Sequence, residues 1–371
     1  MLGISVDRTA AEACGSLPRM AAGPALRIVH AVRSDAFAGV ERSILLSARA
    51  LVDRGHDVSV VGGRREQMEA DLTSMGVAWT PAASTVGVAR ALRRTGKVDV
   101  VHAHMTAAET ASVLTHRSTG GAIVMTRHFA NRRGRSAPGR LATALIERVP
   151  HHEVAISRYV AQKLESPHVV YHGLDAPAVA SVPGRRVVVI QRLEREKHTG
   201  LALQAWDRSG LARGGWELVI AGDGADRPGL EALAAATSEP SSIRFLGRVE
   251  DVDALRAIAA LQIATPPDEH FGLSVLEAMA VGLPVLAADG GAHRELLGDD
   301  HPELLFVPDD VDSAAERLRA LAEDADLRAR LGEALRARQR RLFSLAAHGE
   351  ALEREYRAAI DACAARSGRL R

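Results

Sequence analysis

The sequence predicts an α/β protein built from two doubly wound parallel sheets, each with helices on both faces, and with a ligand cleft between the two domains. Short apolar runs alternate with longer segments of helical periodicity, which is the pattern of a parallel sheet. The alternation occurs twice, and the stretch between the two series, residues 172–186, contains several Pro and Gly residues and has little periodicity. A length of 371 residues also suits two domains better than one.

The first series predicts an N-terminal domain over residues 25–172. A helix is expected at residues 41–54, and strands are expected at residues 26–32, 57–61, 98–102, 122–125 and 152–156. Residues 1–24 precede this series and are expected to form a disordered or loosely attached extension. They contain charged residues and no long apolar run, so we do not expect a signal peptide.

The second series predicts a C-terminal domain over residues 173–345. Strands are expected at residues 187–190, 217–221, 243–246, 261–264 and 284–287, with helices between them. From residue 311 to about residue 364 the pattern is almost wholly helical and rich in Arg and Ala. Ligands of doubly wound sheets bind beyond the carboxyl ends of the strands, so the functional residues should follow the strands.

Composition argues against several classes of function. Aromatic residues make up 3% of the chain and the net charge is +1, which fits poorly with nucleic-acid binding. Cys14 and Cys363 lie near opposite ends, so neither a disulfide framework nor a cysteine metal cluster is predicted, and a reducing, cytoplasmic setting is expected. We predict no metal site. No window approaches the roughly 20 apolar residues of a membrane-spanning helix.

Two carboxylates, Glu269 and Glu277, frame the most informative segment. Glu277 is expected within an apolar helix, where a buried carboxylate is costly unless it is hydrogen-bonded. Leu273 and Val281, the neighbours at helical spacing, cannot supply that bond. Its partner is therefore either a distant protein group or a polyhydroxyl ligand. Gly272 and Leu273 begin the helix, and their free N–H groups suit phosphate oxygens.

A cationic segment follows the first strand of the second series. Arg192 and Lys197 are separated by a short turn and could converge on one anion, such as a departing diphosphate. The alternative is a solvated charge run, although Lys197 is one of only three lysines in the chain.

Glycines at strand ends give weaker signals. Gly39 opens the first predicted helix, Gly222 and Gly224 follow the second strand of the second series, and Val249 follows the third. Glycine allows the backbone to approach an anion, and the backbone near Val249 could contact a base edge. Simple tight turns are the alternative for each.

His128 ends a predicted strand and would face the cleft from the N-terminal domain, although a lone histidine is more often structural. A loop follows that carries Arg132, Arg133, Arg135 and Arg140. This loop could meet a phosphorylated acceptor or an anionic membrane surface, and a solvated loop is the alternative.

Over about residues 25–360 the chain resembles the family 4 retaining glycosyltransferases, which have the two-domain GT-B fold. Residues 269–285 match the family's Glu-x7-Glu signature and the run that continues it, and this match is highly specific. The other matches, in family order, are residues 38–42 (Ala-Gly-Val-Glu-Arg), 99–104 (Asp-Val-Val-His-Ala-His), 155–157 (Ala-Ile-Ser) and 171–175 (Tyr-His-Gly-Leu-Asp).

The resemblance implies a role for each matching position. Arg192 and Lys197 would bind the diphosphate, and the Gly272 and Leu273 amides would contact its phosphates. Glu277 would bind the ribose, and the 247–249 backbone would contact the base. Glu269 and His128 would contact the donor sugar, and Gly39 would lie on the acceptor side. The last helix, residues 346–371, would pack back on the N-terminal domain. Gln191, His198, His270 and Ala38 depart from the family pattern, mostly at positions where small residues are usual.

The resulting hypothesis is a metal-independent enzyme without a further cofactor. It would move a sugar from a nucleotide diphosphate, with UDP or GDP expected, to a hydroxyl of a polysaccharide, a lipid carrier or a natural product, with retention of configuration by front-face attack. A peripheral contact with the inner membrane face remains open. The alternatives are a GT-B nucleotide-sugar epimerase, a non-catalytic nucleotide-sugar-binding protein, and a nucleic-acid binder.

Overall fold

A computed structural model describes residues 23–34, 39–63, 65–131, 133, 137–166, 168–177 and 184–368. The extension predicted at residues 1–24 therefore lies almost wholly outside the described residues, as does Ala38. The N-terminal lobe is the first sheet with its helices. Its elements are β1 (Arg27–Val32), α1 (Gly39–Asp53), β2 (Asp57–Val61), α2 (Arg65–Ser74), β3 (Ala78–Thr80), α3 (Thr85–Arg94), β4 (Val100–His104), α4 (Met105–Thr119), β5 (Ala122–Arg127), α5 (Ala137–Ile146), β6 (His152–Ala155) and α6 (Arg158–Leu164).

The second sheet and its helices form the C-terminal lobe. Its helices and strands are β7 (Arg186–Ile190), α7 (Thr199–Ser209), β8 (Glu217–Ala221), α8 (Arg227–Ala235), β9 (Ile243–Gly247), α9 (Val252–Ala257), β10 (Leu261–Ala264), α10 (Leu273–Ala280), β11 (Val285–Ala288), α11 (His293–Leu297), β12 (Leu305–Phe306), α12 (Val311–Glu323) and α13 (Ala325–Leu342). The last helix, α14 (Leu345–Gly368), returns to the N-terminal lobe.

Both six-stranded sheets have the same doubly wound topology. The first has the order β3-β2-β1-β4-β5-β6 and the second the order β12-β11-β10-β7-β8-β9, with parallel pairing of neighbouring strands. In each sheet the chain direction across the strands reverses next to the first strand, between β1 and β4 and between β7 and β10. Crevices at such switch points hold ligands in doubly wound folds, and both crevices open at the carboxyl ends of the strands.

Two differences from the predicted strands have a physical reason. The strand expected at residues 98–102 is β4, two residues later, because Asp99 caps the backbone N–H of Arg27 (2.7 Å) and His102 and His104 are buried inside the strand. The sequence does not predict β3 and β12, since three and two residues are too short to show an alternating pattern.

Helix α14 packs against α1 and the first sheet. Tyr356 is fully buried, and its hydroxyl lies 2.7 Å from Nδ1 of His102 in β4. Nε2 of His348 lies 2.9 Å from the Ser47 hydroxyl of α1. Arg54 and Glu353 form an ion pair at 2.5 Å. These contacts place the C-terminal helix on the N-terminal lobe.

The chain passes between the lobes at two places that lie side by side. The backbone N–H of Leu174 donates to the Phe343 carbonyl at 3.1 Å, and the Gln339 side chain donates to the Leu174 carbonyl at 2.7 Å. A Cβ on Gly173 would lie 2.2 Å from the Ser344 carbonyl oxygen, so only glycine fits there. None of the described helices is long and apolar enough to cross a membrane.

Candidate functional site

An ion pair lies at the carboxyl ends of β7 and β10, at the switch point of the second sheet. Nζ of Lys197 lies 2.7 Å from Oε2 of Glu269, and both side chains are mostly buried. Burial favours a raised pKa for Glu269, but Lys197 and the nearby His293 outweigh it and leave the pKa below its ordinary value. The structure thus places a buried carboxylate and a buried ammonium together at this crevice, 72 positions apart in the sequence.

The turn that carries Lys197 is fixed by side chains at the sheet edge. The carbonyl of Lys197 accepts a hydrogen bond from the Gln191 amide at 3.0 Å and one from the Thr265 hydroxyl at 2.7 Å. Gln191, a departure from the family pattern, therefore braces the turn. His198 has φ +50°, a conformation in which glycine is usually favoured, and its ring contacts Asp309 at 2.9 Å.

Arg192 is paired with a neighbouring carboxylate in this structure. Its guanidinium is 2.9 Å from Glu196, four positions later in the chain, and both side chains are 61% exposed. Such an exposed pair is weak and its side chains are readily redirected. The predicted convergence of Arg192 and Lys197 on a diphosphate stays a prediction.

Glu277 has two protein partners in this structure. Its Oε2 accepts a hydrogen bond from Arg256 of α9, a side chain only 1% exposed, and its Oε1 lies 2.6 Å from Nη2 of Arg42. Arg256 also contacts Asp253 at 3.1 Å. Arg42 belongs to α1, so Glu277 links the two lobes. The predicted ribose contact of Glu277 remains untested.

The first turn of α10 faces the N-terminal lobe. Gly272 is the residue before the helix and has φ +98°. Leu273 lies opposite Gly39, because a Cβ on Gly39 would be 3.9 Å from the Leu273 side chain. The starts of α1 and α10 therefore approach each other across the cleft, each with its first N–H groups outside the helical hydrogen-bond pattern.

The other predicted glycines mainly join neighbouring loops. Gly222 has φ +148°, and its Cβ would lie 1.8 Å from the Gln191 carbonyl oxygen, so the loop after β8 packs directly on the loop after β7. A Cβ on Gly224 would lie 2.3 Å from the Leu193 carbonyl oxygen. Val249 is partly buried against the core of the C-terminal lobe. Whether these positions also contact a ligand stays a prediction.

A chain of buried histidines reaches the cleft from the N-terminal lobe. Nε2 of His128 lies 2.9 Å from Nδ1 of His104, and Nε2 of His104 lies 3.0 Å from Nδ1 of His30. Nε2 of His30 is buried and has no hydrogen-bond partner among the described residues. Burial lowers the pKa of His128 and the pKa of His30 from 6.5 to about 3. These rings are neutral near pH 7, so each has one N–H donor and one acceptor.

The histidine chain lies beside the glutamate segment of the opposite lobe. The ring of His172 lies 6.0 Å from that of His128 and 4.8 Å from that of Phe271, measured between centroids. Phe129 and His270 make an edge contact at 5.3 Å. The sequence identified His128 but not His30 and His172, since spacing along the chain does not show which strand ends are neighbours.

Further polar contacts hold the lobes together. Ser157 is the residue immediately before α6, and its hydroxyl donates a hydrogen bond to the His270 carbonyl at 2.6 Å. The Glu295 carboxylate accepts from the backbone N–H groups of Arg158 and Tyr159 at 2.8 and 3.2 Å, and so caps α6 from the C-terminal lobe. The predicted serine-bearing strand end is thus an interlobe contact in this structure.

One arginine of the basic segment after β5 is held by two carboxylates. Arg133 is paired with Glu109 at 2.6 Å and with Glu153 at 2.5 Å, so its charge is neutralised within the protein. Arg133 is therefore not part of a solvated charge run, and the predicted contact of this loop with an acceptor or a membrane stays a prediction. Arg132 and Arg135 lie outside the described residues, and Arg140 is exposed.

Two family matches cover most of the chain. Residues 37–176 match Glycosyltransferase Family 4, and residues 179–338 match the glycosyl transferases group 1. The chain belongs to the family 4 glycosyltransferases. The division between the two matches falls at residues 177–178, beside the place where the chain first passes between the lobes.

Named relatives of this glycosyltransferase include mannosyltransferases. It is 29% identical over 339 residues to a phosphatidyl-myo-inositol mannosyltransferase of Mycolicibacterium smegmatis, with 81% of this chain and 85% of the relative covered. It is also 36% identical over 138 residues to a GDP-mannose-dependent alpha-mannosyltransferase of the same organism, with 36% of this chain and 34% of the relative covered.

Solved structures confirm the GT-B fold of this glycosyltransferase. Anabaena HepE in complex with UDP has a TM-score of 0.77 at 17% identity, and the match covers 90% of this chain and all of the other. A glycosyltransferase from Rickettsia africae has a TM-score of 0.74 at 18% identity, with 91% of this chain and 99% of the other covered.

Proposed function

We propose that this glycosyltransferase moves a sugar from a nucleotide diphosphate donor to a hydroxyl acceptor, with retention of configuration and without a metal ion. The observation that carries the proposal is the Lys197–Glu269 pair at the switch point of the second sheet. His128 of the first sheet approaches the same segment through the rings of His172 and Phe271. Departure of a diphosphate requires cationic groups near its oxygens, and a buried ammonium stabilises that charge more strongly than an exposed one.

The proposed donor site is built on the second sheet. Lys197 would stabilise the departing diphosphate, and Arg192 would leave its exposed partner Glu196 to join it. The N–H groups of Gly272 and Leu273 would bind phosphate oxygens at the start of α10. Glu269 would hold Lys197 in place and face the sugar.

Ribose binding by Glu277 would use the carboxylate face that Arg42 contacts in this structure. Oε1 of Glu277 faces the half-exposed Arg42, whereas Oε2 is held by the buried Arg256. Ribose hydroxyls would replace Arg42, and Arg256 would hold the carboxylate in its orientation. The arrangement therefore supports a role for Arg256 in positioning Glu277.

The proposed sugar and acceptor contacts lie on the first sheet. His128 would hydrogen-bond the transferred sugar as a neutral ring, and His104 fixes its orientation through the 2.9 Å bond. The acceptor would enter near Gly39. For retention, the acceptor hydroxyl would attack from the side that the diphosphate leaves, and a diphosphate oxygen would take its proton. The mannosyltransferase relatives make GDP-mannose the first donor to test, with UDP-sugars next.

The test begins with thermal unfolding in the presence of UDP-, GDP-, ADP- and TDP-sugars in metal-free buffer. A donor that binds the folded chain raises the melting temperature. At a concentration one hundred times its Kd, it adds about 2.7 kcal/mol to the free energy of unfolding. We expect a shift with one base only. A chain that responds to none of these donors contradicts the proposal.

The reaction is then followed with the donor that binds. Transfer to an acceptor with release of the free nucleotide, and the anomeric configuration of the product read by NMR, separates a transferase from an epimerase, which would give an isomeric nucleotide sugar and no new glycosidic bond. Turnover should be the same with and without EDTA. An inverted product or loss of turnover in EDTA would refute the retaining or the metal-independent part.

A further inference from the structure

Three side chains with metal-ligating atoms meet on the N-terminal lobe, away from the cleft. His152 is the first residue of β6, His168 lies in the segment after α6, and Glu355 lies in α14. Oε2 of Glu355 is 2.9 Å from Nε2 of His152 and 3.2 Å from Nδ1 of His168. The cleft opens at the carboxyl ends of the strands, whereas His152 stands at the amino end of its strand.

The backbone brings the two histidines onto one face. The N–H of Ala155 donates to the His168 carbonyl at 2.8 Å, and the N–H of Val170 donates to the Ala155 carbonyl at 2.9 Å, so Ala155 pairs with Val169. His152 and His168 are both an odd number of positions from this pair, and side chains alternate along extended chain. They therefore project to the same side, and their ring centroids are 4.3 Å apart.

Helix α14 completes the group. Glu355 lies one position before Tyr356, which is buried against His102, so the docking of α14 on the sheet fixes its height above the two histidines. The Glu355 side chain is 12% exposed and that of His168 is 39% exposed. The group is thus anchored in the fold and open to solvent at His168.

The geometry points to a divalent transition-metal site, and we propose that His152, His168 and Glu355 bind Zn²⁺. Ligand atoms that bind zinc tetrahedrally at about 2.0–2.1 Å lie about 3.4 Å from one another. The ligating atoms of these three residues all lie within 4.8 Å, and two of the separations are already 2.9 and 3.2 Å. Two imidazoles and one carboxylate form a known zinc ligand set that leaves a position for water.

A second group of histidines also has ring nitrogens close enough to one another to bind one metal ion: His30, His102 and His104. Five of its six ring nitrogens already have hydrogen-bond partners: Nδ1 of His30, both nitrogens of His102 and both of His104. All three side chains are fully buried. Metal binding there would break this network, whereas zinc at Glu355 replaces only one hydrogen bond, from His152, and one close contact, with His168, to the same carboxylate oxygen.

Zinc in this position would join α14 to the edge of the first sheet, and its contribution would be to stability. It takes no part in sugar transfer, so the proposal is independent of the proposed function. Both imidazoles bind zinc through a nitrogen that has lost its proton, so affinity should fall as the pH is lowered.

The experiment uses the full chain without a histidine tag, stripped of metal with EDTA and dialysed. Titration with Zn²⁺ against a chromophoric chelator measures affinity and stoichiometry, and Co²⁺ in its place reports the geometry through its visible absorption. We expect one Zn²⁺ per chain, a raised melting temperature, and a Co²⁺ spectrum of low coordination number.

The variants His168→Ala and Glu355→Gln remove one ligand each. Groups that only hydrogen-bond to a zinc ligand are worth about 10- to 100-fold in affinity, so loss of a ligand should weaken binding by more than about 100-fold. His301→Ala is the matched control, since His301 also lies near a glutamate, Glu303, at 3.7 Å in the C-terminal lobe.

The proposal is overturned if the unmodified chain binds no zinc. It is also overturned if both ligand variants still bind one Zn²⁺ per chain. His168 is the safer of the two substitutions because its side chain is partly exposed, and the melting temperature without metal shows whether each variant is folded.

Discussion

Oε1 of Glu277 in α10 lies 2.6 Å from Nη2 of Arg42 in α1, so an ion pair joins the two lobes at the carboxylate that the family signature assigns to ribose. The other oxygen of Glu277 is held by Arg256. One carboxylate therefore has a buried partner within its own lobe and a half-exposed partner from the other.

The two partners of Glu277 should contribute unequally to stability. Glu277→Ala leaves the buried Arg256 with Asp253 alone, and loss of one partner of a buried pair costs about 3–5 kcal/mol. Arg42→Ala removes an exposed partner and should cost no more than about 1 kcal/mol. Urea unfolding measures both. Equal losses in the two variants would contradict this ranking.

Replacing Lys197 should affect turnover more than folding. Lys197→Met removes the charge proposed to stabilise the leaving diphosphate, and loss of one such group lowers kcat by roughly 10²- to 10³-fold. The pKa of Glu269 should rise, because its burial is then opposed by fewer cations. Lys163→Met is the control, since Lys163 lies at 5.6 Å over the Tyr159 ring. Unchanged turnover in Lys197→Met would show that Lys197 does not stabilise the leaving diphosphate.

The buried histidines should make the protein less stable in mild acid. Burial lowers the pKa of His30 and His128 from 6.5 to about 3, and that of His348 to about 4. Below pH 6.5 the unfolded chain binds protons that the folded chain does not, so stability falls as pH decreases towards these values. Each such histidine contributes up to about 1.4 kcal/mol per pH unit.

The pH effect is measured by urea unfolding between pH 8 and pH 5. Above pH 7 the free energy of unfolding should change little through these groups, and it should decline steadily below pH 6.5. His348→Gln should show a shallower decline than the unmodified chain. His151, whose pKa is raised mainly by the Glu153 carboxylate 3.7 Å away, acts in the opposite direction. A flat profile over this range would show that the histidines are not buried as described.

Gly222 should not tolerate a side chain. In Gly222→Ala the Cβ would lie 1.8 Å from the Gln191 carbonyl oxygen, at φ +148°, so the loops after β7 and β8 must separate. Gly229→Ala is the control, because Gly229 lies in α8 with open space around its Cβ position, and alanine should stabilise that helix by up to about 1 kcal/mol. Thermal unfolding distinguishes the two, and equal melting temperatures would contradict the packing.

The strands were predictable because buried parallel strands leave continuous apolar runs. Residues 57–61, 217–221 and 261–264 are predicted and observed with the same bounds. The sequence also places Lys197 and Glu269 after strands of one sheet, although it does not predict that they pair. The local periodicity of the sequence contains this much of the fold and of the candidate site.

The partners of the site residues were not predictable in the same way. Arg256 precedes Glu277 by 21 positions, and Arg42 comes from the other lobe, so neither appears at helical spacing. The histidine chain requires β1, β4 and β5 to be neighbours, which the topology decides. Gln191 was read as a departure from the family pattern, and only the folded turn shows that it holds the Lys197 carbonyl.

The close contact of Gly173 with Ser344 has a consequence for the cleft. The two described connections between the lobes are hydrogen-bonded together at this point, so they are expected to move together when the angle between the lobes changes. A side chain at position 173 would clash with Ser344 and push the two connecting segments apart. Its effect would be expressed as a change in cleft width and donor affinity, with the core of each lobe left intact.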